Sequence, residues 1–88
     1  MQEPFGATQI GRWIIVYLAV ISGEDSDAIA LDANLSAFDI DSVDAVEMAM
    51  QFEKAFNCQI GAEFFLRDEA TIQQLADELA VFVATSAA

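Results

Sequence analysis

The stretch Asp39–Asp44 places one hydroxyl, that of Ser42, among three carboxylates at the point where a helical pattern begins. A serine becomes a nucleophile when a neighbouring base takes its proton, and the chain has no histidine. The nearest lysine, Lys54, lies about three helical turns further along. A hydrolase built on Ser42 is therefore disfavoured, and we predict no catalytic residue. The hydroxyl is better suited to be a point at which another enzyme attaches a group.

A phosphate ester on Ser42 would lie in the first turn of a helix, where backbone N–H groups and the helix dipole favour negative charge. The flanking Asp39, Asp41 and Asp44 repel such a phosphate. We therefore interpret them as groups that meet cations on a partner enzyme, or a divalent metal that the partner carries. The plainer alternatives are an ordinary serine at a helix start and a solvated acidic surface.

The 88 residues predict a single domain, with its ordered part at about residues 8–83. Three basic and fifteen acidic residues give a formal net charge of −12. This balance excludes nucleic acid as a partner and disfavours an anionic membrane surface, because both require Lys or Arg. A basic protein surface is the natural partner.

Cys58 is the single cysteine, so the chain has no internal disulfide framework, and we expect a buried thiol in the reducing cytoplasm. The apolar run 13–21 is too short to span a membrane. An export signal is disfavoured because Glu24, Asp25 and Asp27 crowd the region before the small residues that resemble a cleavage site.

Hydrophobic spacing predicts a first helix over about 8–22, built on residues at helical intervals: Ile10, Ile14, Tyr17, Leu18 and Ile21. Trp13, Val16 and Val20 make its opposite side apolar as well. We expect this helix to be buried more deeply than is usual, in preference to presenting an exposed patch.

A long connection over 24–41 carries the apolar anchors Ile29, Leu31, Leu35 and Phe38. A second helix is predicted from Ser42 to about Phe56, capped by Asp41. Its core stripe is Ala45, Ala49, Phe52 and Phe56, and Asn57 can end it in the left-handed conformation.

One helical turn is predicted over 63–67, and Thr71 with Gln74 forms a capping box for the last helix. That helix repeats Ile72, Leu75, Ala76, Leu79, Phe82 and Val83 at helical spacing. The fold class is thus all-α, a small antiparallel four-helix bundle of three main helices and one short helix.

One combined pattern resembles the acyl carrier proteins of fatty acid and polyketide biosynthesis. It consists of Asp41-Ser42-Val43, then Glu47, Phe52-Glu53, Phe56 and Ile60, and finally Thr71-Ile72 before the last helix. The resemblance runs from the first helix to about Leu79 and is strongest over 38–63. Each feature alone is weak, whereas their combination with the chain's size and charge is specific.

The resemblance implies a carrier that is not an enzyme. Ser42 would bear a covalent 4′-phosphopantetheine arm whose thiol holds acyl groups as thioesters. The partners would be a phosphopantetheinyl transferase, which uses coenzyme A and Mg²⁺, and acyl-processing enzymes with basic docking surfaces. The implied docking residues are Asp41, Val43, Asp44, Val46, Glu47, Met50 and Glu53.

The chain departs from the family pattern at four positions. Asp39 stands where glycine is usual, Val43 replaces a commoner leucine, Gly61 replaces a frequent proline, and Lys54 interrupts the acidic face. Aspartate tolerates a left-handed backbone better than most residues, so the turn before Ser42 can form.

Three alternatives remain beside an acyl carrier: a peptidyl or aminoacyl carrier, an unmodified acidic adaptor for a basic enzyme, and loose surface binding of cations. A calcium loop counted from Asp39 fails, because its fifth, sixth and twelfth positions hold Val43, Asp44 and Met50. We predict no bound metal. We expect a monomer, with self-association through the first helix left open.

Overall fold

The computed structural model describes residues 6–67 and 69–86 as a bundle of helices. Three of them are α-helices: α1 (Ala7–Ser22), α2 (Ser42–Phe56) and α3 (Ile72–Ser86). Three shorter segments are 3₁₀ helices: Ser26–Ala28, Leu35–Phe38 and Ala62–Leu66. The predicted bundle of three main helices and one short helix is confirmed, with Ala62–Leu66 as the short one. None of the described helices is long and apolar enough to cross a membrane.

The inward face of α2 is the stripe that spacing predicted. Ala45, Ala49, Phe52 and Phe56 are all buried. Met48 is buried with them, and the sequence reading did not assign it to the core. Phe52 contacts Phe56 at a centroid separation of 4.6 Å and Phe65 at 6.4 Å, so the core extends from α2 to the short helix.

The expectation that the first helix is buried more deeply than usual, without an exposed apolar patch, is wrong. Ile10, Ile14 and Leu18 are fully buried, but Val16 and Val20, on the opposite side, are 48% and 76% exposed. A helix that packs on the bundle with one face leaves the other in solvent, whatever its residue types. Trp13 does pack, edge-on against Phe52 at 5.4 Å and Phe56 at 5.9 Å between ring centroids.

The long connection is tied to the start of α3 by backbone hydrogen bonds. Gln73 N–H donates to the carbonyl of Leu31 (2.8 Å), Ile72 N–H to that of Ala33 (3.1 Å), and Leu35 N–H to that of Ala70 (3.0 Å). Of the predicted apolar anchors, Ile29 and Leu35 are buried, Phe38 is half-buried, and Leu31 is exposed. These bonds fix the middle of the connection against the start of α3.

The side-chain pairs of α3 include a capping box at its start and an ion pair that joins it to Arg67, the residue after the short helix. The predicted capping box is present: Gln74 N–H donates to Thr71 Oγ1 (3.1 Å), and Thr71 N–H donates to Gln74 Oε1 (2.9 Å). Arg67 donates two hydrogen bonds to the Glu78 carboxylate, at 2.7 and 3.1 Å, and holds the pKa of Glu78 below its usual value. Because both side chains are largely exposed, this pair adds little stability.

Candidate functional site

Ser42 is the first residue of α2, and two features fix the backbone before it: the turn at Asp39 and the helix cap at Asp41. Asp39 ends the 3₁₀ helix Leu35–Phe38 in the left-handed conformation (φ 54°, ψ 48°), as predicted for an aspartate in this place. Asp41 is the N-cap, and its Oδ1 accepts a hydrogen bond of 2.8 Å from Asp44 N–H. The turn and the cap therefore determine where the Ser42 side chain lies.

The Ser42 side chain is accessible to another protein. The residue is exposed, and no hydrogen bond among residues 6–67 and 69–86 engages its Oγ. Three apolar side chains beside it are also exposed: Val43 (71%), Val46 (50%) and Met50 (55%). An attached group of the size of a phosphopantetheine arm fits here, because it can extend into solvent without displacing a packed side chain.

Five residues of α2 line one open depression, which we call the docking face: Ser42, Val43, Val46, Glu47 and Met50. Their spacing of three and four residues places them on one side of the helix. The structure thus brings together the predicted attachment serine, the three predicted apolar docking residues and one predicted acid. An apolar centre with charged side chains at its edge is the usual composition of a protein-docking surface.

The other predicted acids lie outside this depression. Glu53 is exposed about two turns beyond Glu47, while Asp41 serves as the N-cap and Asp44 is half-buried. Lys54 is exposed in the last turn, where the negative end of the helix dipole stabilises a cation. The acidic character of α2 is therefore concentrated in its first half.

Tyr17 of α1 belongs to the surroundings of the site, and the sequence reading placed it only among core positions. Its pKa is raised by partial burial first, and then by the negative charges of Glu47 and Asp44. The phenol also stacks on Trp13, with ring centroids 5.3 Å apart. Tyr17 lies at the edge of the apolar stripe of α1, and a tyrosine has an apolar ring with a polar hydroxyl. These two features could have predicted a position at the boundary between core and solvent.

Within the described part of the chain, no group of three acidic, cysteine or histidine side chains is arranged to hold a metal ion. Cys58 is buried, as expected.

Comparison with known proteins adds a family assignment to this geometry. The family model described as "Phosphopantetheine attachment site" matches residues 12–79, most of the chain. The protein belongs to the phosphopantetheine attachment family. Members of this family carry covalently attached 4′-phosphopantetheine, so the carrier resemblance seen in the sequence is confirmed. Carrier domains act together with a modifying transferase and with the enzymes that process their cargo.

A solved structure shares the fold of this phosphopantetheine attachment protein. It is the HMG-ACPI domain from the CurA module of Lyngbya majuscula, determined by NMR, with a TM-score of 0.75 and 20% sequence identity. The match covers 100% of this chain and 91% of that domain. At this identity the likeness establishes the fold alone. No curated protein matches the chain significantly.

Proposed function

We propose that Ser42 is the attachment residue and that the protein carries acyl intermediates of fatty acid or polyketide synthesis. The observation that carries the proposal is the exposed Ser42 hydroxyl on the docking face, in a chain that belongs to the phosphopantetheine attachment family. The attached group supplies a flexible arm whose thiol holds acyl groups as thioesters. The chain itself supplies the tether and the surface that partners bind, and it performs no chemistry of its own.

In the loading step, Ser42 Oγ forms a bond to the phosphorus of coenzyme A that bears the pantetheine. The bond from that phosphorus to the nucleotide half of coenzyme A breaks, and the nucleotide leaves with a terminal phosphate. The serine proton passes to a base of the transferase, because the chain has no histidine of its own. A hydroxyl held at a capped helix start, outside the core, is accessible to such a catalyst.

The acidic side chains of α2 would guide the encounter with basic partners. Glu47 lies on the docking face, and Asp44 and Glu53 lie near it on the same helix. Opposite charges raise association rates more than they raise affinity, which suits contacts that must be brief. The exposed Val43, Val46 and Met50 would supply the apolar centre of each contact.

The acyl class of cargo is supported by the net charge of −12 and the acidic docking face, in preference to a peptidyl or aminoacyl cargo. A cytoplasmic location agrees with the buried thiol of Cys58.

The test is incubation with a broad-specificity phosphopantetheinyl transferase, coenzyme A and Mg²⁺, followed by intact-mass measurement. We expect the wild type to gain one phosphopantetheinyl group and Ser42→Ala to gain none. Ser36→Ala, which alters another exposed serine, is the matched control and should be loaded like the wild type. A wild type that gains nothing, or equal gain by folded Ser42→Ala, would contradict the assignment. An unmodified acidic adaptor would give the first of these results.

A further inference from the structure

One side of α2 carries four exposed side chains in a line, which we call the α2 stripe: Val43, Glu47, Met50 and Lys54. They are separated by four, three and four residues, so they follow one another along the same side of the helix. The first three also line the docking face, and Lys54 continues the line by one turn. Apolar and charged side chains therefore alternate along the stripe, and its two charges have opposite signs.

The two charges of the stripe do not neutralise each other. Glu47 and Lys54 are seven residues apart, which is about 10 Å along the helix axis, and Met50 lies between them. None of the residues three or four positions from Lys54 is acidic. Neither Glu47 nor Lys54 forms an ion pair with any residue that the structure describes. Both charges are thus available to a partner.

The helix dipole does not by itself explain where Lys54 lies. A cation in the last turn of α2 is stabilised by the negative end of the dipole, on whichever side of the helix it stands. The neighbouring Ala55 is also exposed in this turn, about 100° further round the helix and off the stripe. The dipole therefore accounts for a cation near the helix end, but not for its place in line with Glu47 and Met50.

The enzyme that loads Ser42 must contact this side of α2. Its reaction forms a bond to Ser42 Oγ itself, whereas the acyl-processing partners act on the thiol at the far end of the arm. The loading enzyme must therefore hold the first turn of α2, where the stripe begins. Lys54 lies about 18 Å from Ser42 along the helix axis. An interface of about 600 Å² per partner, which is small for a protein contact, is roughly 28 Å across and can include both residues.

We propose that the phosphopantetheinyl transferase of the native host presents a carboxylate to Lys54, in addition to a cation that faces Glu47. This proposal rests on the proposed function, because it concerns the enzyme that loads Ser42. The order of the two charges fixes the direction in which α2 lies across the enzyme, since a reversed helix would bring like charges together. Lys54 is then a specificity determinant of loading, beyond the attraction between an acidic carrier and a basic enzyme.

The test is kcat/KM for loading by that transferase, measured at low ionic strength on variants of the full chain. We expect Lys54→Glu to lower kcat/KM about fivefold, because one attraction is replaced by one repulsion. If the enzyme responds to net charge only, this variant, which is more negative, loads faster than the wild type. Arg12→Glu makes the same charge change on α1, outside the docking face, and should load at least as fast as the wild type.

A double variant, Glu47→Lys with Lys54→Glu, reverses the stripe while the net charge stays constant. We expect it to load about 25-fold more slowly than the wild type, since the two sites are about 10 Å apart and their effects multiply. If net charge alone mattered, the second change would restore what Glu47→Lys had lost. Asp32→Lys with Arg12→Glu makes the same two charge changes at exposed sites off the docking face, and it should be loaded like the wild type.

Ala55→Glu is the control for the end of the helix, because it places an acid in the same turn but off the stripe. It should be loaded like the wild type, and far-UV circular dichroism checks that every variant is folded. Three results would each overturn the proposal: undiminished loading of Lys54→Glu, an equal loss in Ala55→Glu, or a double variant no slower than Glu47→Lys alone. A wild type that is never loaded would contradict the proposed function itself, so the two failures are distinguishable.

Discussion

The outward faces of α1 and α2 both expose valines, but they differ in the charge around them. On α2, Val43 and Val46 lie beside Glu47. On α1, Val16 and Val20 share their face with Arg12, and the helix has no acid at all. An exposed apolar side chain alone does not identify a partner. The charge next to it decides which surfaces can approach, and the acids beside the valines of α2 favour a basic one.

The two helices also begin differently. α2 starts at an aspartate cap, with Asp41 Oδ1 bonded to Asp44 N–H at 2.8 Å. α1 starts at Gly6, which has no side chain to cap the helix, although its N–H donates to Gln9 Oε1 at 3.3 Å. The more firmly fixed start is the one that carries the proposed attachment serine.

The largest expected effect tests the feature that the two helices share, their common core. Phe52 of α2 is fully buried and contacts Trp13 of α1. Phe52→Ala should lower the free energy of unfolding by about 3–5 kcal/mol, a large part of the roughly 4–13 kcal/mol typical of a chain this long. Val43→Ala, at an exposed site on the same helix, should change it by less than about 0.5 kcal/mol. Urea denaturation measures both, and similar losses would contradict the division into inward and outward faces.

The next effect concerns the helix starts. Asp41→Ala should lower the free energy of unfolding by about 1 kcal/mol, because Asp44 N–H loses its cap. Gly6→Ser should raise it by a few tenths of a kcal/mol, since Gly6 already has the extended backbone of an N-cap (φ −93°, ψ 176°). Thermal melts of the two variants give the comparison. An Asp41→Ala variant with the same free energy of unfolding as the wild type would show that the cap does not stabilise the start of α2.

A smaller effect concerns the acidic side of the docking face. Glu47→Lys should lower kcat/KM for loading by the transferase about fivefold, since it replaces one attraction by one repulsion. The dependence of kcat/KM on salt should flatten as well. Asp32→Lys makes the same charge change in the exposed connection and should leave loading nearly unaltered. Equal losses in both variants would indicate a general effect of net charge instead of docking on α2.

The smallest effect tests whether Tyr17 of α1 lies close to the acidic side chains of α2. Tyr17 is the single tyrosine, so ultraviolet absorbance follows its ionisation directly. Its pKa should lie above the usual value of about 10, and Glu47→Gln should lower it part of the way, because burial is the larger cause. With the folded-state pKa raised, stability is intact below about pH 10 and is lost as pH rises through the folded pKa. Glu53→Gln should leave the pKa of Tyr17 unchanged. An equal shift in both variants would contradict the position of Tyr17 near Glu47.

Local rules made α2 and its surroundings predictable from sequence. The helix spans Ser42–Phe56, as predicted, and both Asp39 and Asn57 adopt positive φ (54° each). These features depend on neighbouring residues only: a capping aspartate, a repeating apolar stripe, and two residue types that tolerate the left-handed region. The exposure of Ser42 followed from the same local pattern.

Features that depend on how helices are rotated against one another were predicted less well. Val16 and Val20 look like core residues by type, and their exposure is decided by which side of α1 the rest of the bundle covers. Met48 is buried and Met50 is exposed. Residue type does not distinguish the two methionines, but Met48 lies one helical turn before the core residue Phe52, and that spacing could have predicted its burial. The nearness of Tyr17 to Glu47 joins two helices, and no local pattern contains it.

The connection before α2 shows a third kind of difficulty. Its order comes from backbone hydrogen bonds between 31–35 and 70–73, which any residue except proline can make. Side-chain patterns therefore identified buried Ile29 and Leu35 but also proposed Leu31, which is exposed.

The most direct test of the account is the mass of the protein isolated from its native host, followed by fragmentation to locate any added group. We predict one phosphopantetheinyl group, with or without an acyl chain on its thiol, on the fragment that contains Ser42. A protein of unmodified mass, or a group located on any other residue, would contradict the claim that this hydroxyl is the tether.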